Sequence, residues 1–288
     1  MTKTTGMLCA LTAAVLYALN APVSKLLLRE IPPAMMAAFL YLGAGIGMSL
    51  LQCFRRNRTK ESPLSRADLP YTAAMVVLDI AAPVFLMLGL SRTTAENASL
   101  LNNFEIVATS LIALVVFREK IFGRLWAAIG LVTLSSTLLS LEGVESFRFS
   151  TGSLFVLLAC ICWGLENNCT RALSGKDPLM IVVVKGFGSG SGALAVAFCT
   201  GETLPAFPAI PAALLLGFVA YGLSIFFYIY AQRMLGAAKT STYYAVAPFI
   251  GTALSLAVFR QMPPLPYWIG LLLMIAGTWL ASADNRQE

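Results

Sequence analysis

The sequence contains no histidine and few charged residues, since only 12% of its 288 residues are Asp, Glu, Lys or Arg. Because histidine is absent, Ser-His-Asp and Cys-His nucleophile systems are excluded, together with every histidine-ligated metal site. A soluble globular protein carries about 25% charged residues, whereas 58% of this chain is hydrophobic. The composition therefore predicts a multi-pass membrane protein that is not an enzyme and has no cofactor and no metal.

The sequence also lacks any polar segment long enough for a soluble domain. A transmembrane helix needs about 20 mostly apolar residues, and ten segments of that kind follow one another with short connections between them. They lie at residues 6–28, 34–53, 70–90, 94–116, 122–141, 151–171, 179–199, 211–232, 237–259 and 264–282. The first segment has no A-x-A-like cleavage site and is interpreted as an uncleaved helix. The sequence thus predicts an all-α membrane protein with ten transmembrane helices.

The basic residues are unevenly distributed. Five of the twenty Lys and Arg residues lie within residues 55–66, without interleaved aromatic residues, which indicates a loop facing anionic lipid rather than nucleic acid. The alternate connections that include both termini carry 14 basic residues against five in the opposite set. We therefore expect both termini to be cytoplasmic and the lipid bilayer, not a nucleic acid, to be a partner. The six cysteines lie in or beside apolar segments and indicate packing, not disulfides.

The two halves of the chain resemble each other. Residues 6–32 align without gaps with the second half at a shift of 146, and the stretch that begins at Ala95 aligns with the one that begins at Ala237 at a shift of 142. The informative pairs are Gly6 with Gly152, Tyr17 with Trp163, Lys25 with Arg171, Pro32 with Pro178, and Val116-Phe117-Arg118 with Val258-Phe259-Arg260. We predict two repeats, residues 6–141 and 151–282. Each contains five helices, an odd number, so the second must enter the membrane from the opposite side. Such inverted repeats commonly form carriers whose substrate binds near the midplane.

Several polar residues interrupt the apolar segments. Asn102, Asn103 and Glu105 lie near the middle of the fourth segment, and Asp79 lies near the middle of the third. Groups of this kind normally face a cavity, a partner or a substrate, because burying them in hydrocarbon is costly. A hairpin of the third and fourth helices would place Asp79 and Glu105 at similar depth. They could receive a substrate ammonium or carry a proton; alternatively, each is a neutral acid hydrogen-bonded to Asn102 or Asn103.

The second half contributes an acid and a base. Glu166 and Lys185 are expected at the same depth in the membrane. The two side chains could neutralise each other, or Glu166 could bind the substrate.

Other residues in the apolar segments could also contribute to a site. Asn20 and Pro22 could break the first helix and expose its backbone, or they could mark a packing kink. Some aromatic residues could stack on a substrate ring or attract an ammonium, whereas others could lie at the membrane interface. The candidates are Tyr17, Trp163, Tyr221, Tyr243 and Tyr244. The spaced glycines of residues 43–47 and 186–192 indicate close helix packing rather than a phosphate loop.

Over nearly its whole length the chain resembles the EamA-type carriers of the drug/metabolite transporter superfamily. The string Leu101-Asn102-Asn103-Phe104-Glu105, followed by Val107-Ala108-Thr109, is similar to the fourth-helix pattern of that family, whose places are filled here by Asn103, Glu105 and Glu119. The sequence departs from the pattern in three places. Ile106 replaces a proline that the second half keeps as Pro248, and Gln261 replaces the second-half glutamate. Tyr17-Ala18 replaces the Trp-Gly pair that is kept as Trp163-Gly164.

The resemblance implies a bacterial inner-membrane carrier, and within the family it is nearest to exporters of amino acids, including aromatic ones. We expect alternating-access export of small zwitterionic or amphipathic metabolites, with protons as the candidate coupling ion and no predicted oligomeric state. An exporter of hydrophobic cations or drugs is the main alternative, because Asp79, Glu105 and Glu166 outnumber Lys185. An intramembrane enzyme or a channel is the alternative of another class.

Overall fold

The computed structural model describes residues 3–54, 62–117, 123–140, 150–235, 240 and 243–284. Within these ranges the regular structure is helical and no strand is found. A 3₁₀ turn occupies Arg66–Asp68 and a π-helical turn occupies Phe218–Leu223. The α-helices are α1 (Lys3–Ala18), α2 (Asn20–Leu27), α3 (Pro33–Phe54), α4 (Leu69–Arg92), α5 (Ala95–Leu101), α6 (Phe104–Phe117), α7 (Gly123–Ser140), α8 (Thr151–Leu173), α9 (Pro178–Cys199), α10 (Ala209–Gly217), α11 (Ser224–Leu235), α12 (Ala247–Phe259) and α13 (Leu265–Asp284).

The helices confirm the prediction of an all-α membrane protein. Six helical segments of the described chain are long and apolar enough to cross a bilayer: Thr4–Leu27, Pro33–Phe54, Arg66–Arg92, Thr151–Leu173, Pro178–Cys199 and Ala209–Met234. Three shorter apolar helices lie at Trp126–Leu139, Ala247–Phe259 and Leu265–Leu280. The count of ten transmembrane helices and the cytoplasmic location of both termini stay predictions.

Two of the expected helices in the first half of the chain are interrupted. The first is divided between α1 and α2 at Leu19. Pro22 follows the break, and proline has no backbone N–H to donate to the carbonyl of residue 18. The fourth is divided between α5 and α6 at Asn102 and Asn103, although no proline is present there. The amide of Asn103 bonds the carbonyl of Leu100 at 3.2 Å, three residues back, as in a tightened 3₁₀-like turn. Pro83, in contrast, lies inside an unbroken α4.

The main packing partners of the helices come from opposite halves of the chain. Helix α3 packs on α9, α4 on α8, α1 on α11, and α7 on α13. Each of these pairs joins an element before residue 141 with one after residue 150. Side chains that project inward from the two halves therefore meet along a shared interface, and that interface contains the polar residues described below.

The spaced glycines allow some of these helices to approach closely. A Cβ atom added to Gly186 in α9 would overlap the backbone of Gly45 in α3. Likewise, a Cβ atom on Gly43 would overlap the carbonyl of Leu214, and one on Gly217 would overlap the carbonyl of Leu40. These overlaps are with backbone atoms, which cannot rotate away as a flexible side chain can. The prediction of close helix packing is confirmed at Gly43, Gly45 and Gly186, and Gly217 is a further close approach that was not predicted.

Polar contacts tie the halves together at both ends of the bundle. At one end, the carboxylate of Glu202 accepts hydrogen bonds from the backbone amides of Ala34 and Met35, at 3.0 and 2.7 Å, and so caps the first turn of α3. At the other end, the Nζ atom of Lys176 lies 3.0 Å from an oxygen of Asp68. Each contact joins residues more than 100 positions apart in the sequence.

Candidate functional site

Lys185 lies at the centre of a buried charge cluster. Its Nζ atom lies 2.8 Å from Oε1 of Glu166 and 3.1 Å from Oδ2 of Asp79. Lys185 and Glu166 are each 3% exposed and Asp79 is fully buried. Helix α4 brings Asp79 into this cluster because it packs against both α8 and α9. The predicted pairing of Glu166 with Lys185 is confirmed, and Asp79 is a further partner that the sequence did not indicate.

Hydroxyl groups complete the hydrogen bonding of the two carboxylates. The hydroxyl of Tyr41, on α3, donates to Oδ1 of Asp79 at 2.9 Å. The hydroxyl of Thr170 donates to Oε1 of Glu166 from one helical turn further along α8. Such hydrogen bonds stabilise a buried ion cluster, because a carboxylate that is removed from water still needs donors for its acceptor oxygens. Sequence reasoning missed both residues; the spacing of four between Glu166 and Thr170 was the available signal.

Glu105 has a different environment from Asp79. Its Oε1 atom accepts a hydrogen bond of 2.5 Å from the side-chain amide of Asn167 on α8. Its partner is therefore Asn167, and not Asn102 or Asn103 as the sequence suggested. No cation lies within ion-pair distance of Glu105 in the described part of the chain. Glu105 and Asp79 nevertheless line the same cavity.

The central cavity has a volume of ≈ 70 Å³ and brings charged and aromatic groups together. Both halves of the chain contribute to its wall. Its lining comprises Tyr17, Tyr41, Asp79, Glu105, Trp163, Glu166, Asn167, Thr170, Lys185, Tyr221, Ile225, Tyr228 and Tyr244. Clefts that hold drug-sized ligands measure roughly 300 to 1,000 Å³. In this conformation the cavity is accordingly smaller than a site occupied by a metabolite.

Tyr17 is the hub of the aromatic wall. Its ring centroid lies 6.4 Å from that of Trp163 and 5.9 Å from those of both Tyr221 and Tyr244. The predicted residues Tyr17, Trp163 and Tyr244 thus belong to one cluster. Tyr41 extends this cluster through Tyr221, at 5.0 Å between centroids. The π-helical turn carries Tyr221, and turns of this kind occur frequently at functional sites.

Four of the predicted site residues lie outside the described lining of this cavity. Asn20 supports the wall indirectly, because its Nδ2 atom donates to the hydroxyl of Tyr221 at 3.1 Å. No hydrogen bond to the cavity wall is found for the other three among the described residues. The Oδ1 atom of Asn102 lies 4.0 Å from Sγ of Cys160. Asn103 is a buried amide without a hydrogen-bond partner in the described chain, and Tyr243 is half-buried. Glu119 lies outside the described residues.

The described acids and cysteines do not form a metal site. No group of three or more His, Cys, Asp or Glu side chains is placed to hold an ion within the described ranges. The cavity offers an ammonium, carboxylates, an amide and several aromatic faces to a small molecule.

Comparisons with known proteins agree with a membrane carrier. The model of the EamA-like transporter family, part of the drug/metabolite transporter superfamily, matches residues 4–141 and 150–283. A transporter from Methanothermobacter thermautotrophicus, described as uncharacterized, is 25% identical over 97% of this chain and 87% of its own length. The uncharacterized transporter YyaM of Bacillus subtilis is 23% identical over 88% of this chain and 86% of its own.

A solved crystal structure has the same fold. It superposes with a TM-score of 0.71 at 15% sequence identity and covers 99% of both chains. The two family matches together span most of the sequence, and both relatives are described as uncharacterized transporters. The chain therefore belongs to the EamA-like transporter family.

Proposed function

We propose that this protein is an alternating-access carrier that exports small zwitterionic or amphipathic metabolites across a bacterial inner membrane, with amino acids, including aromatic ones, as the leading class. The observation that carries the proposal is the composition of the central cavity. Lys185 can attract a carboxylate, while Asp79 and Glu105 can attract an ammonium. The surrounding rings, centred on Tyr17, offer faces for an aromatic or apolar side chain.

The repeat hypothesis supports this mechanism. The family model matches residues 4–141 and 150–283 as two separate segments, near the proposed repeat bounds of 6–141 and 151–282. The charged groups of the cavity are divided between these segments, with Asp79 and Glu105 in one and Glu166 and Lys185 in the other. In an inverted repeat, rocking one half against the other would expose these groups to each side of the membrane in turn.

Alternating access also accounts for the small size of the cavity. A volume of ≈ 70 Å³ requires the helices to separate before a metabolite binds. The contacts that would have to break are those between the halves at each end, of which the Glu202 cap and the Lys176 to Asp68 ion pair are the described examples. Breaking one set while keeping the other would open one side only.

Export of hydrophobic cations is the second candidate function. Three carboxylates against one ammonium line the cavity, and several tyrosine rings face the same space. Aromatic faces and buried acids both favour a lipophilic cation. The two candidates differ in what Lys185 does: it binds the carboxylate of a zwitterion, or it only neutralises Asp79 and Glu166.

Counterflow in liposomes tests the proposal. Vesicles containing the purified protein are loaded with unlabelled amino acid, and uptake of labelled L-phenylalanine is measured, with competition by neutral amino acids and by lipophilic cations. We expect neutral amino acids to drive and to compete for exchange, and lipophilic cations to compete weakly. No exchange of any amino acid, together with exchange of a labelled lipophilic cation in vesicles loaded with the same unlabelled cation, would replace the first candidate by the second. Empty vesicles serve as the control.

A further inference from the structure

A second charged cavity lies at the end of the bundle where α2 and α12 end and α5 begins. Its volume is ≈ 210 Å³, larger than that of the central cavity. Its lining comprises Lys25, Leu28, Arg29, Ser91, Thr94, Ala95, Glu96, Phe259 and Gln261. None of these residues lines the central cavity. The second cavity is therefore a separate space with its own set of polar groups.

Glu96 is the acid of this second cavity. It is 4% exposed, and its carboxylate makes no hydrogen bond and no ion pair with any residue that the structure describes. Its backbone is held in place, since the hydroxyl of Thr252 donates to its carbonyl oxygen at 3.4 Å. The Glu96 carboxylate lines the cavity without a cation at ion-pair distance among the described residues. A cationic group of a ligand in the cavity would therefore be attracted to it.

Two basic residues, Lys25 and Arg29, line the same cavity. The Nζ atom of Lys25 donates to the carbonyl oxygens of Leu90 and Thr93 at the end of α4, each at 2.5 Å, so the ammonium is fixed in position. Lys25 and Glu96 attract each other electrostatically without reaching ion-pair distance. Arg29 is exposed and forms no ion pair in the described chain. The second cavity thus combines one acid with two bases.

We propose that the second cavity is a binding site for a small zwitterion, in which the ammonium of the ligand contacts Glu96 and its carboxylate contacts Arg29 and Lys25. Phe259 supplies an apolar surface for the rest of the molecule. A simple cation meets repulsion from Lys25 and Arg29, and a simple anion meets repulsion from Glu96, so a ligand that carries both charges fits best. The ligand class rests on the proposed function, whereas the location rests on these residues alone.

A site-specific fluorescent reporter tests the proposal. Gln261→Cys, and Ser91→Cys as a second reporter, are labelled with an environment-sensitive, water-soluble maleimide after the exposed Cys53 and Cys199 are changed to serine. The background without a reporter cysteine supplies the blank. The probes share a phenyl ring and differ in charge: L-phenylalanine is zwitterionic, phenethylamine is cationic and 3-phenylpropionate is anionic. Glycine and sodium chloride are titrated as well.

We expect a saturable signal from the amino acids only, and at least about a tenfold loss of affinity in Glu96→Gln, which removes a charge-assisted hydrogen bond. Arg29→Gln, at an exposed position, provides a second variant if Glu96→Gln does not fold. Asp79→Asn changes the central cavity only, so the reporter titration should be unchanged whatever this variant does to counterflow, which separates this proposal from the proposed function.

Four results would overturn the inference. An equal response to phenethylamine or sodium would show a cation site, and a stronger response to 3-phenylpropionate would show an anion site. A signal lost in Asp79→Asn and kept in Glu96→Gln would place binding in the central cavity. The absence of a saturable response to every probe, with either reporter, would show that the cavity binds no zwitterion.

Discussion

At the scale of single residues, Lys185 pairs with two carboxylates rather than one, and this determines how much stability is lost when Lys185 is replaced. In Lys185→Met, Asp79 and Glu166 are left as buried acids without a cation. Removing one partner of a buried ion pair costs about 3 to 5 kcal/mol. We expect a loss of stability of that size, measured by thermal unfolding in detergent and by the yield of monodisperse protein.

Compensation should require three substitutions. The double variant Glu166→Gln, Lys185→Met still leaves Asp79 unpaired, so we expect only partial recovery of stability. Adding Asp79→Asn should restore it. Full recovery in the double variant would show that Asp79 does not depend on Lys185.

A second prediction at this scale separates two roles for the carboxylates. If Asp79 or Glu105 holds the ammonium of the substrate, Asp79→Asn or Glu105→Gln should weaken binding by about 1.5 to 3 kcal/mol. If one of them carries a proton instead, the neutral variant should still exchange substrate but lose accumulation driven by a pH gradient. Counterflow and gradient-driven uptake are measured in the same liposomes. Wild-type behaviour in both assays would reject both roles.

At the scale of the elements, the contact between α3 and α9 depends on glycine. In Gly186→Ala the new methyl group overlaps the backbone of Gly45, so the two helices must move apart. Overpacking of this kind costs typically 1 to 3 kcal/mol. Gly130→Ala in α7 is the matched control, because no described atom lies within 4 Å of the added Cβ and alanine favours a helix by about 1 kcal/mol over glycine.

We therefore expect Gly186→Ala to lower the midpoint of thermal unfolding and Gly130→Ala to leave it unchanged or raise it. Equal midpoints for the two variants would contradict the close approach of α3 and α9. The comparison is informative because both changes add the same methyl group to a helix interior.

The interrupted helices mark the limit of what local sequence patterns predict. Pro22 was a usable signal because proline removes a backbone donor. The break at Asn102 and Asn103 carried no such signal, and the expected helix ran through it. Likewise, counting residues from the helix ends brought Glu166 and Lys185 together. That Asp79 joins them depends on how α4 packs on α8 and α9, which are distant in the sequence.

The same limit applies to the cavity wall. Tyr17, Trp163 and Tyr244 could be selected because they are aromatic residues inside apolar segments, and they do line one cavity. Asn167 and Tyr41 gave no comparable signal, since an amide next to Glu166 and a tyrosine in an apolar helix have many ordinary explanations. Their importance follows from tertiary contacts with Glu105 and Asp79.

At the scale of the whole molecule, the orientation in the membrane is a prediction from 14 basic residues against five. Single cysteines at Ser62 and Leu204 test it, both exposed and on opposite sides of the predicted topology. With Cys53 and Cys199 changed to serine, Ser62→Cys should react only with a membrane-permeant maleimide in intact cells. Leu204→Cys should react with an impermeant one. Labelling of Ser62→Cys from outside would reverse the orientation.

The capping of α3 by Glu202 has a consequence for the balance between conformations. The cap is supplied by a residue 168 positions from Ala34, so any conformation that separates the halves at this end leaves the first amides of α3 without it. A helix cap contributes typically about 1 kcal/mol, which corresponds to roughly a fivefold change in an equilibrium constant. Under the proposed alternating-access mechanism, Glu202 would therefore stabilise the conformation that is closed at this end, and that conformation would be more populated than packing alone would make it.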